Sequence, residues 1–152
     1  MLNRLKDVFG SFQRHNVRYI VIGGIASVIH GVPRATFDLD ILIDADSGNA
    51  RNLLDALLDA GFGTAALTDA EEILSNEITI FKDRVRIDVQ TSTPGLDFKE
   101  AWERRKTLEY QDQTFYVVSL EDLIASKRAA GRDIDLEDVR LLELPSDEER
   151  KS

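Results

Sequence analysis

Apolar residues recur along this chain with two different periods. Leu2, Leu5, Val8, Phe9 and Phe12 share one helical stripe, so residues 2–15 read as an amphipathic helix. Tyr19-Ile20-Val21-Ile22 is a continuous apolar run closed by Gly23-Gly24, the pattern of a short buried strand. Residues 24–30 continue as a short helix stopped by Gly31 and Pro33. From Phe37 to Asp44 the alternation is strict. Phe37, Leu39, Ile41 and Ile43 face one way, and Asp38, Asp40, Leu42 and Asp44 the other. Ser47 is placed to cap a helix over residues 48–60, ended by Gly61. Thr68-Asp69-Ala70-Glu71 has the spacing of a capping box. Two strands follow over residues 78–82 and 85–90, joined around Asp83-Arg84 as a hairpin. Asp97 caps a helix bearing Phe98 and Trp102, and residues 114–118 form the last strand. Ser119 and Asp122 open a helix reaching about Ala130; Asp135 and Asp138 open another ending near Leu144.

These elements imply an α/β (α+β) fold, a mixed β-sheet of about four to five strands flanked by helices. One domain is expected over residues 1–144, with a charged flexible tail over 145–152. A hydrophobic content of 43% can fill a core, and 31% charged residues can cover it. The net charge of −9 argues against a protein held on extended duplex DNA or an anionic membrane by bulk charge. The absence of cysteine excludes disulfides, Cys-ligated zinc, Fe–S clusters and thiol nucleophiles. With His15 and His30 the only histidines, carboxylates are left as the metal ligands to consider. No apolar segment approaches a membrane span, and the polar N-terminus breaks up any signal-like run, so a cytoplasmic protein is expected.

Asp38 and Asp40 project from one face of their strand, with Cα atoms about 6.5 Å apart. Such a pair is either a solvated acidic face or a ligand set for a hard divalent cation such as Mg²⁺. Leu42 on the same face argues against full exposure. No EF-hand register fits the nearby acids. Gly23-Gly24 at a strand-to-helix turn lets a ligand approach the backbone, although the chain lacks the P-loop and G-x-G-x-x-G patterns. A third acid, Asp88, shares a face with Arg86 and Gln90; it neighbours the Asp38/Asp40 pair if the strands adjoin, or else pairs with Arg86 or Arg84. Lys127 lies inside the buried stripe of its helix, either snorkelling or aimed at a phosphate. Arg34 and Thr36, just before the aspartates, are placed for the same phosphates or are plain surface residues.

Taken in order, Val21-Ile22-Gly23-Gly24, Asp38-Leu39-Asp40-Ile41 and Ile87-Asp88-Val89 resemble the nucleotidyltransferase superfamily of the polymerase-β type. The segment from Arg34 to Asp40 and the stretches from Ser119 to Lys127 and Gly131 to Asp138 resemble its small single-domain bacterial and archaeal branch, which includes the AbiEii-like toxins. The resemblance spans residues 19–142. It implies Asp38 and Asp40 as Mg²⁺ (or Mn²⁺) ligands and Asp88 as third catalytic carboxylate, either ligand or base. Gly23 and Gly24 would cradle the triphosphate of an NTP, with Arg34, Thr36 and Lys127 beside it. Many relatives carry Ser where this chain has Gly24, so no hydroxyl comes from that position. The implied reaction moves a nucleoside monophosphate to a hydroxyl on an RNA end, a protein side chain or a small molecule, releasing pyrophosphate. The alternative is a non-catalytic nucleotide-binding or partner-binding module, set against an antitoxin in a toxin–antitoxin pair.

Overall fold

The computed structural model describes residues 2–145. After a 3-10 turn at Leu2–Arg4 come α1 (Lys6–Arg14), β1 (Tyr19–Ile22), α2 (Gly23–Ile29), β2 (Leu39–Ile43) and α3 (Ser47–Asp59). A second 3-10 turn at Gly63–Leu67 leads to α4 (Ala70–Ser75), β3 (Ile78–Phe81) and β4 (Ile87–Gln90). The chain closes with α5 (Phe98–Glu103), β5 (Lys106–Tyr110), β6 (Gln113–Val117), α6 (Leu120–Ala130) and α7 (Asp133–Leu142). The strands make one mixed sheet in the order β3-β4-β2-β1-β6-β5. β2 runs antiparallel to β1 and parallel to β4, while β1 runs parallel to β6. Hairpins β3–β4 and β5–β6 form the two wings.

One sheet face carries Val21, Leu39, Ile41, Ile43, Ile87 and Val89, all nearly inaccessible to solvent. Helix α1 covers it: the Phe9 ring stacks on Phe115 at 4.6 Å and Phe12 meets Tyr19 edge-on at 4.8 Å. Helix α3 packs beside α1, and the buried Ser11 hydroxyl donates to the Ala56 carbonyl at 2.6 Å. The opposite face, bearing Ile22, Asp40 and Leu42, is overlaid by α2 and α6. Leu42 is buried, as the alternation requires, but Phe37 lies before β2 and is 69% exposed.

Six strands form where about four to five were expected, and the extra one is β5. It is an edge strand whose Lys106, Thr107 and Glu109 face solvent while Leu108 and Tyr110 pack on the core, so its apolar alternation rests on two residues alone. Its turn is also disguised. Gln111 and Asp112 both adopt positive φ, 46° and 68°, a backbone that hairpins usually build from Asn-Gly. Two caps shift by one residue: Asp46, not Ser47, accepts the Asn49 amide, and Asp69, not Thr68, accepts the Glu72 amide. Asp97 and Ser119 cap as expected. The expected tail, beyond Pro145, lies outside the described residues. Among the described residues, no helix is long and apolar enough to cross a membrane.

Because Gln111 and Asp112 pay for their left-handed backbone, the double substitution Gln111→Asn/Asp112→Gly is expected to stabilise the protein by about 0.5–1 kcal/mol. The urea midpoint would rise at unchanged m value; an unchanged midpoint would show that the turn stores no such strain.

Candidate active site

The backbone ladder places the central acids. Ile22 of β1 stands opposite Asp40 of β2, and Asp40 stands opposite Asp88 of β4. Directly paired residues share a face, so the carboxylates of Asp40 and Asp88 are forced together beside the end of β1. Gly23 completes that end with φ +69°, and a Cβ there would run into the Asp40 carboxylate. Glycine is thus required twice, by the turn and by its acidic neighbour. A Cβ on Gly24 would lie 2.9 Å from the Thr36 Oγ1, so a threonine hydroxyl occupies the space beside this bare backbone.

Burial pushes the Asp40 carboxyl up to about 7, helped by the charge of Asp88, a hydrogen bond with it, and the charge of Asp38; Arg86 opposes the rise. Arg86 grips Asp88 with two donors, Nε at 2.8 Å and Nη2 at 3.2 Å, and its Nε lies 3.9 Å from Asp38. Asp38 sits one residue before β2 with a half-exposed side chain. The sequence is compatible with Asp88 beside the other two acids or paired with an arginine; the structure pairs it with Arg86 and seats it opposite Asp40, while Asp38 is linked to it only through Arg86. Among the described residues, no group of three acidic or histidine side chains forms a ready-made metal cage. The acids instead straddle a guanidinium.

Next to Asp40 opens a cleft of about 350 Å³, lined by Gly23, Gly24, Arg34, Thr36 and Lys127. These are the five residues expected to receive a triphosphate, and the fold brings all of them to one wall system. Asp40 reaches this cleft; Asp38 and Asp88 stand beyond its lining. A larger cavity of about 540 Å³ opens elsewhere, between Phe12, Tyr19, Trp102 and Tyr116, and includes none of the expected residues.

Lys127 is not a free cation. Its Nζ donates to Asp138 at 2.9 Å and lies 3.7 Å from Asp135. Arg34 approaches Asp138 at 2.6 Å from its other side, and Arg132 forks onto Asp135 at 2.7 and 3.2 Å. Burial pushes the Asp135 carboxyl up, but the Arg132 fork and the Arg132 and Lys127 charges outweigh it, so the net shift is downward. Three cations around two carboxylates leave this wall with a surplus positive charge. The resemblance covers Arg132, Asp135 and Asp138 but implies no role for them. The signal was present, since Asp135, Asp138 and Leu142 fall at helical spacing on the buried stripe of α7, where unpaired acids are not tolerated.

The architecture matches known structures of nucleotidyltransferase-like proteins. A candidate nucleotidyltransferase from Thermotoga maritima superposes with a TM-score of 0.57 at 17% identity, covering 91% of this chain and 89% of that one. An antigenic nucleotidyltransferase-like protein from Paracoccidioides brasiliensis gives 0.55 at 19% identity, covering 93% and 74%. Similarity at this level defines the fold, not the substrate. Residues 2–146 match a family profile, and the chain belongs to the nucleotidyltransferase family of unknown function DUF6036. No curated protein matches this chain.

The raised Asp40 carboxyl makes metal-free stability depend on pH. Its value of about 7 in the fold against an ordinary 3.8 means that folding favours the neutral form. That contribution is complete below about pH 4 and is lost as pH rises through 7. Asp40→Asn, neutral throughout, is therefore expected to exceed the parent in stability at pH 8 by about 2–4 kcal/mol, with the gap closing toward pH 4. Urea melts in chelator across that range test this, and a pH-independent gap would contradict it.

The second expectation concerns the wall. Lys127→Met keeps the apolar stem but leaves the buried Asp138 to Arg34 alone, at a cost of about 3 kcal/mol, the low end for breaking a buried ion pair. An unchanged denaturation midpoint would mean that the Lys127–Asp138 contact contributes nothing net.

Proposed function

We propose that the protein is a Mg²⁺-dependent nucleotidyltransferase that moves a nucleoside monophosphate from an NTP to a hydroxyl, releasing pyrophosphate. The observation that supports it best is the register pairing of Asp88 with Asp40, which lines a cleft whose other wall is net cationic. The donor set fits a hard divalent ion, because it is all oxygen and its three carboxylates face one arginine, leaving excess negative charge. Asp38, Asp40 and Asp88 would hold that ion, and when bound it would neutralise charge on the transferring phosphoryl group. Phosphoryl-group transfer otherwise asks mainly for positioning and electrostatics.

The chain's own residues supply both. Gly23 and Gly24 present backbone that a phosphate can approach closely, and Thr36 adds a hydroxyl there. Lys127, Arg34 and Arg132 set a positive field along the β- and γ-phosphates, and their ties to Asp135 and Asp138 fix its position. Beyond Asp88 the sheet is open: Ile80, paired with Asp88 on β3, and Ile78 are both exposed. The acceptor enters from that side; its hydroxyl proton goes to Asp88 where Asp88 is the base, and to water where Asp88 is the third ligand. The acceptor oxygen then bonds to the α-phosphorus while the bond from that phosphorus to the bridging oxygen breaks, and pyrophosphate leaves.

Incubation with each labelled NTP, Mg²⁺ or Mn²⁺, and RNA, protein and small-molecule acceptors is expected to release pyrophosphate. Asp40→Asn should lower that rate by on the order of 10²–10³-fold, as loss of one group stabilising transition-state charge does. No pyrophosphate across a broad panel, or parental rates from Asp40→Asn, would overturn the proposal.

A further inference from the structure

The acids that would hold the metal are already bridged by a cation belonging to the chain. Arg86 immediately precedes β4, two residues before Asp88, and its backbone carbonyl accepts the Leu39 amide at 2.9 Å, which locks it beside Asp38. From there the planar guanidinium gives Asp88 a two-pronged grip and reaches within 3.9 Å of Asp38. This geometry uses both Asp88 carboxylate oxygens, the atoms a divalent ion would need. It is also consistent with these acids forming no ready-made cage among the described residues.

We propose that Arg86 is a resident counter-ion that competes with the divalent metal for Asp88 and Asp38, so that metal is held well only when nucleotide phosphates join it. The inference rests on the reading that Asp38, Asp40 and Asp88 form the metal site. Arg86 touches no substrate in this role; it is a positioning residue that acts through the two aspartates. Its side chain is 40% exposed, so it can swing to solvent without opening the core. The strand beneath need not move, because the Asp40–Asp88 register is set by backbone pairing. A permanent cation also relieves the mutual repulsion of the acids while the site is empty. Loading a metal then exchanges one positive charge for another rather than assembling a site from repelling parts.

Mn²⁺ titrations followed by electron paramagnetic resonance, without nucleotide, test this in the full chain for the parent, Arg86→Met and Arg86→Met/Asp40→Asn. Arg86→Met is expected to bind Mn²⁺ about tenfold or more tightly than the parent, since loss of a charge-assisted contact shifts equilibria by roughly 10- to 150-fold. Addition of Asp40→Asn should reverse the gain, and saturating NTP should shrink the difference between Arg86→Met and the parent. Arg86→Lys, which keeps charge but loses the fork, should lie between them. Circular dichroism in chelator checks folding, and Mn²⁺ should raise the melting temperature of Arg86→Met by more than that of the parent. Equal or weaker Mn²⁺ affinity in folded Arg86→Met overturns the counter-ion role. If the parent also binds no Mn²⁺ in the presence of NTP, the metal-site reading falls with it; if it does bind, only the Arg86 inference falls.

Discussion

Two carboxylates on neighbouring parallel strands are held side by side by the backbone ladder, whatever their charge prefers. Asp40 and Asp88 cannot separate without breaking β2 from β4. Much of the surrounding chemistry answers that constraint. Asp40 holds its proton to unusually high pH, and Arg86 clamps Asp88. Gly23 gives up its side chain so that the Asp40 carboxylate has room. The sheet supplies the strain; the neighbours absorb it.

The cationic wall works in the opposite sense. Its charges are satisfied before any ligand arrives, through buried acids of α7, and this gives it a fixed shape. The irregular segment after α2 is drawn into the same network, because Arg34 spans 104 positions of sequence to reach Asp138. Ionic contacts of this kind rarely add much net stability, but they resist rearrangement, since each broken pair leaves a buried charge behind. A rigid positive wall facing a crowded acidic pair is well suited to a polyanionic ligand with a divalent ion.

How much of this was legible depends on which physical signal each element carried. The strand Tyr19–Ile22 matches its apolar run residue for residue, and Asp40 stands on β2 as the alternation implied, while Asp38 falls one residue before it. Strand β5 was faint because its alternation rests on Leu108 and Tyr110 alone, and its turn lacks the usual glycine. The residues around the cleft were readable because a glycine pair closing a buried strand, and an acid doublet at the start of another, are unusual patterns. The pairing of Lys127 was not readable. A lysine on a buried stripe announces only that something must satisfy it, and the partners lie on the next helix. Whether Asp88 met an acid or an arginine depended on strand order, which local pattern does not encode.

The connection between the two central acids has a consequence of its own. After β2 the chain builds α3, a 3-10 turn, α4 and β3 before returning as β4, so most of this long crossover has no hand in setting the Asp40–Asp88 distance. Its outer turn is pinned by buried Phe62 and Ala65 and by Thr64 on Asp83, and it turns Leu67 out to solvent, 83% exposed. Lengthening a loop costs little entropy once its ends are fixed, and here the ends are fixed by hydrogen bonds between adjacent strands. The exposed positions of the crossover, those around Leu67 among them, are therefore open to insertion and drift, while α3 and β3 stay tied to the core. A lineage can remodel that surface repeatedly while the spacing of its two acids stays the same.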